Sequence, residues 1–73
     1  MTDSPVSLLT RREVEILEMT ALGLTNAQIG ARLNVTMHAV KFHLAAIYRK
    51  LGVVNRTEAV VAYLRAGGAA APK

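Results

Sequence analysis

Five residues of one segment, His38, Lys41, Phe42, Ala45 and Arg49, recur at three- and four-residue spacings, which on a helix places them along one side. Such a row offers cationic donors, an imidazole and apolar groups together. That mixture suits a polyanion whose surface carries both phosphates and flat, edge-on bases. Other chemistry is poorly supplied. There is no cysteine, so disulfides, thiolate metal sites and thiol nucleophiles are excluded. His38 and His43 are five residues apart, off a common helical face, with no acid nearby to complete a metal site. Asp3 is the only aspartate and lies at the extreme N-terminus, so no Ser/His/Asp or paired-carboxylate arrangement is expected. The cluster Gly52 to Arg56 lacks a phosphate-loop pattern. The chain reads as a binding protein, not an enzyme, with no cofactor and no small-molecule ligand.

Charge supports the same direction. The net charge is +4, but four of the five acids, Asp3, Glu13, Glu15 and Glu18, fall in the first 18 residues. From Arg32 to Lys73 seven basic residues face the single acid Glu58. A basic surface of this kind favours a polyanion, because Lys and Arg contacts to phosphates release condensed counterions.

The elements that must hold these residues are all helices. Apolar residues recur at helical spacings and no strand-like alternation is sustained. A start signal repeats: an apolar residue, a capping residue, then Glu or Gln three positions on. It occurs as Leu9-Thr10 with Glu13, Leu24-Thr25 with Gln28, and Val54-Asn55 with Glu58; Val35-Thr36 keeps the cap but has Ala39 at the third position. Gly23, Asn34, Gly52 and Gly67-Gly68 supply the stops. Helices are therefore expected over roughly 11–22, 26–33, 37–51 and 56–66, as one all-α domain over 9–66. Residues 1–8 are expected to form a flexible arm and 67–73 a disordered tail.

The predicted core is Val14, Leu17 and Ala21, then Ile29 and Leu33, then the stripe Val40, Leu44, Ile47 and Leu51, closed by Ala59, Ala62 and Tyr63. Glu13 is assigned to capping, and Glu15 and Glu18 to a solvated face. Phe42 is expected on the exposed side of its helix, since Val40 and Leu44 already occupy the core stripe. Val60, Val61 and Leu64 fall on another side of the last helix, with nothing intramolecular left to cover them, and point to a homodimer interface. Only Asn34 and Val35 separate the second helix from the Thr36 cap, which demands a sharp turn, and Gly30 permits close approach there. This is a helix-turn-helix signature.

The sequence resembles the LuxR/GerE family of bacterial transcription regulators. The match runs from Leu9 to about Val60: Leu9-Thr10 with Arg12-Glu13 and Glu15, Gly23-Leu24-Thr25-Asn26, Ile29, Leu33, Val40-Lys41, His43, Ile47-Tyr48-Arg49-Lys50-Leu51-Gly52, Asn55-Arg56 and Glu58-Ala59. In length the chain is similar to the stand-alone members.

The resemblance implies a regulator of transcription whose third helix reads the major groove of double-stranded DNA and whose last helix pairs two subunits; a cytoplasmic location is expected because no apolar run follows basic residues at the N-terminus and none approaches membrane-spanning length. It implies RNA polymerase as a further candidate partner, and no membrane. Carried over by position, Lys41, Phe42 and Ala45 face base edges, and Asn26, Thr36 and Arg56 lie near the DNA backbone. His38, Arg49 and Lys50 complete the DNA-facing set. Two residues depart from the family pattern. Ala39 stands where Thr is usual, which removes a candidate phosphate contact. Ala45 stands where the residue is often polar or basic, and offers only apolar contact, as to a thymine methyl. The competing readings are a helix-turn-helix that modulates other regulators without reading DNA, and the DNA-binding fragment of a larger response regulator.

Overall fold

The computed structural model describes residues 5–67, with side chains from Val6 onward. A short 3-10 turn, Pro5–Leu8, precedes four α-helices: α1 (Arg11–Ala21), α2 (Asn26–Leu33), α3 (Met37–Leu51) and α4 (Arg56–Arg65). No strand occurs among the described residues. Each helix starts within a residue of its predicted position. Within the segment 1–8, expected as a flexible arm, Pro5–Leu8 form this turn; Val6 and Leu9 pack against the core, and the Leu9 N–H donates to the Val6 carbonyl at 3.0 Å. Two apolar residues spaced three apart give this turn something to bury. The remainder of that arm, and the tail beyond Gly67, lie outside the described residues.

The starts are held as their sequences dictate. Thr10 and Thr25 each accept the backbone N–H of the third helical residue, and Glu13 and Gln28 reach back to the cap N–H at 2.9 and 2.8 Å. The third box differs in detail. Asn55 caps the Glu58 N–H at 2.9 Å, but the Glu58 carboxylate accepts the N–H of Val54, one residue before the cap. At α3 only the forward bond forms, from the Ala39 N–H to Thr36 Oγ1 at 3.0 Å.

α3 is the central element, packed by α1, α2, α4 and the 3-10 turn. Its stripe Val40, Leu44, Ile47 and Leu51 is buried as predicted, with Ile16, Leu17, Ile29, Ala59 and Tyr63 closing around it. On α1 the predicted face is rotated. Ile16 and Leu17 are fully buried and Thr20 lies beside them, whereas Val14 is only half-buried and Ala21 packs at the core's edge. The cause is polar. Glu13 and Thr20 turn inward because each is satisfied there, Thr20 Oγ1 donating to the Ile16 carbonyl at 2.8 Å.

The turn between α2 and α3 fixes the direction of α3. Asn34 adopts the left-handed conformation at φ 58° and ψ 44°, and the N–H groups of Asn34 and Val35 both donate to the Gly30 carbonyl. A Cβ at Gly30 would sit 2.8 Å from the Val35 carbonyl oxygen and 3.5 Å from the Met37 nitrogen, so the close return of the chain requires glycine.

Candidate nucleic-acid interface

With one face of α3 committed to the core, the opposite face is open. His38, Lys41, Phe42, Ala45 and Arg49 are all exposed. At about 100° per residue they span an arc of roughly 100°, centred well away from the buried stripe. Phe42 is 77% exposed, which meets the expectation that it lies on the solvent side.

The other predicted residues divide into two groups. Thr36 is exposed and its hydroxyl is engaged in capping α3. Asn26, the first residue of α2, and Arg56, the first of α4, are brought together across 30 positions of sequence. Arg56 donates one guanidinium nitrogen to Asn26 Oδ1 at 3.1 Å and the other to the Leu24 carbonyl. This clasp ties the starts of α2 and α4, and it holds a cation half-buried beside the helix-turn-helix.

Lys50 is placed differently from the row. Its Nζ donates to Glu13 Oε1 at 2.8 Å, the same oxygen that accepts the Thr10 N–H. Glu13 therefore both caps α1 and locks it to the end of α3, a role beyond the capping expected of it. Burial pushes the Glu13 carboxyl up, but the hydrogen bond and charge of Lys50, with the bonds from Thr10, outweigh it and hold the carboxyl below its ordinary value. Glu18 corrects a second expectation. It is half-buried rather than solvated, because Tyr63 Oη donates to its Oε2 at 3.1 Å. Glu15 sits at the surface with Arg12, 3.5 Å away. Neither long-range partnership left a signal in sequence, since 37 residues separate Glu13 from Lys50 and 45 separate Glu18 from Tyr63.

On α4, Ala59 and Tyr63 are buried and Ala62 is half-buried, so that side closes the core. Val61 and Leu64 remain 40% and 47% exposed, while Val60 is half-buried because it adjoins Ala59 around the helix. Val61 and Ala62, with Val53 and the Arg65 and Ala66 end of the helix, line an open groove of about 510 Å³.

A family model described as bacterial regulatory proteins, luxR family, matches residues 7–63, more than half of the chain. The chain belongs to this family. Among its relatives, the nitrate/nitrite response regulator protein NarP of Escherichia coli (strain K12) is 40% identical over 67 residues, which is 92% of this chain and 31% of that protein. Transcriptional regulatory protein LiaR of Bacillus subtilis (strain 168) is 47% identical over 57 residues, covering 78% of this chain and 27% of the relative. Transcriptional activator protein RaiR of Rhizobium etli is 50% identical over 50 residues, or 68% and 21%. The chain thus spans less than a third of the length of these luxR-family relatives. The matched span takes in all of α1, α2 and α3 and most of α4. No described helix is long and apolar enough to cross a membrane.

Proposed function

We propose that the chain is a sequence-specific binder of double-stranded DNA that regulates transcription in the cytoplasm as a homodimer, without catalysis of its own. One observation carries the reading: the exposed face of α3 away from the core stripe presents a basic and apolar row, His38, Lys41, Phe42, Ala45 and Arg49. A single α-helix fits the major groove, and α3 enters it with this face toward the base edges. Thr36 at the α3 start and the Asn26–Arg56 clasp at the starts of α2 and α4 are set to meet phosphates. Lys50 contributes from the end of α3 through the ammonium hydrogens that Glu13 leaves open. The names of two relatives, transcriptional regulatory protein LiaR and transcriptional activator protein RaiR, agree with a role in transcription.

The dimer rests on α4. Val61 and Leu64 present apolar surface on the side away from the core, with Val60 at its edge. A two-fold pair of such helices would bury each other's stripe and set two copies of α3 about 34 Å apart along DNA. The interface is small, so pairing is expected to be completed on DNA, where adjacent half-sites raise the effective concentration.

Selection of bound sequences from random duplexes tests both parts. The expected outcome is enrichment of paired half-sites about one helical turn apart, with affinity falling steeply as salt rises. Absence of any enriched sequence, with binding indifferent to salt, would overturn the proposal. Introducing charge by Val61→Glu with Leu64→Glu should leave a folded monomer that fills half-sites independently. Cooperative filling by that double variant in footprinting would remove α4 from the interface.

A further inference from the structure

The cations of the DNA-facing set are of two kinds. Among the described residues Lys41 and Arg49, in the exposed row, have no intramolecular polar partner. Arg56 and Lys50, on the flanks, are both held: Arg56 by Asn26 and the Leu24 carbonyl, Lys50 by Glu13. The Lys50 side chain is 35% exposed, but that of Glu13 only 7%. A carboxylate so enclosed needs a reason. Capping does not supply it, because the neutral Gln28 returns the same bond to Thr25 at the start of α2. Nor does stability, since the attraction within a buried ion pair does little more than offset the desolvation of its two charges. What the carboxylate does provide is a fixed place for a lysine. Its Oε1 is tied down by the Thr10 N–H at 2.9 Å and takes Lys50 Nζ at 2.8 Å. A free lysine tail samples many rotamers, and a ligand must freeze them before it gains the contact. Phosphates recur at regular places along any duplex, so a cation held in advance suits them.

We infer that Glu13 is a positioning residue for DNA binding: from inside the fold it holds the Lys50 ammonium in place for a backbone phosphate, so that removing this acid weakens binding to a polyanion. The inference rests on the DNA reading proposed above. Glu13 stays behind the lysine and meets no phosphate itself. One ammonium hydrogen is committed to Glu13, and the others remain for the ligand. Electrostatics alone predicts the opposite sign, because loss of a negative charge close to a phosphate contact raises affinity for DNA.

The probe is a duplex recovered by selection, titrated by fluorescence anisotropy over a salt series at a temperature below the thermal midpoint of every variant. Lys50→Gln, whose amide can still donate to Glu13, should bind more weakly and lower the salt slope by about one. Glu13→Gln, which keeps the cap, should also weaken binding, by about twofold to tenfold, the range expected when one side chain is released from a fixed geometry. In a Lys50→Gln background the same change should no longer weaken binding, because no ammonium is left to position. Glu13→Asp keeps the charge on a shorter arm and should shift affinity in the same direction, so the sign is readable even where Glu13→Gln does not fold. Tighter binding by Glu13→Gln than by wild type overturns the inference, and so does an equal loss with and without Lys50, which would assign the effect to the fold. Wild-type affinity in Lys50→Gln overturns it while leaving the DNA reading in place. Failure of the wild-type chain to bind any selected duplex overturns the DNA reading and the inference with it.

Discussion

The two long faces of α3 differ less in composition than in what lies opposite them. One face carries Val40, Leu44, Ile47 and Leu51, met by α1, α2 and α4 and almost wholly removed from water. The other also carries apolar residues, including the one phenylalanine of the chain, yet Phe42 is 77% exposed. Hydrophobic character alone therefore did not send a residue inward; its angular position on the helix did. A face that is apolar and covered builds the scaffold. A face that mixes cations with an uncovered aromatic is left open to what lies outside the molecule.

Truncating one residue on each face breaks this comparison most directly. Ile47→Ala removes a fully buried side chain and should cost about 2–5 kcal/mol, a large share of the stability of so small a domain. Its thermal midpoint should fall by about 10 °C or more. A midpoint shift of only a few degrees would mean that the stripe is not the core. Next in size is Gly30→Ala. Alanine favours a helix over glycine by about 1 kcal/mol, but the new Cβ would press on the Val35 carbonyl at 2.8 Å, and overpacking of that kind costs about 1–3 kcal/mol. The net change should be destabilising in chemical denaturation; a gain in stability would show that the turn can open without loss.

A smaller effect sharpens the role of the scaffold's polar side. Because the folded Glu13 carboxyl sits below its ordinary value, its contribution is present above that value and is lost as pH falls through the lower folded one. Glu13→Gln is a clean control, since Gln28 already serves the same capping role behind Thr25. The wild-type advantage over Glu13→Gln in thermal melts should shrink on acidification. An advantage constant across the acid range would show that it does not come from the charged pairing with Lys50. The smallest change should come from Phe42→Ala, within about 0.5 kcal/mol of wild type in stability. A loss near the 3–5 kcal/mol typical of a buried phenylalanine would place Phe42 in the core and collapse the distinction between the two faces.

Much of this was legible in the sequence because the relevant physics is local. Caps three residues from their partners, the Asn34 turn and the α3 stripe are each set within one or two helical turns, and the helix bounds follow from them. The exposed row was legible for the same reason, as the complement of that stripe. What escaped was set by tertiary contact. The Lys50 bond that holds Glu13 inward, the bond from Tyr63 to Glu18, and the Arg56 clasp on Asn26 all join residues by contacts that no spacing rule encodes. The 3-10 turn was missed because two apolar residues, Val6 and Leu9, are too few to make a periodic signal.

The central claim is that the open face of α3 reads DNA, and Lys41→Ala tests it most directly. Lys41 is exposed beside Phe42 and has no part in the buried stripe. Fluorescence anisotropy titration of a selected duplex, paired with a thermal melt of each protein, separates binding from folding. A close contact to a base edge is worth about 1–3 kcal/mol, so affinity should fall by about fivefold to a hundredfold or more, with the melting midpoint unchanged. Undiminished affinity in a folded Lys41→Ala variant would contradict the account.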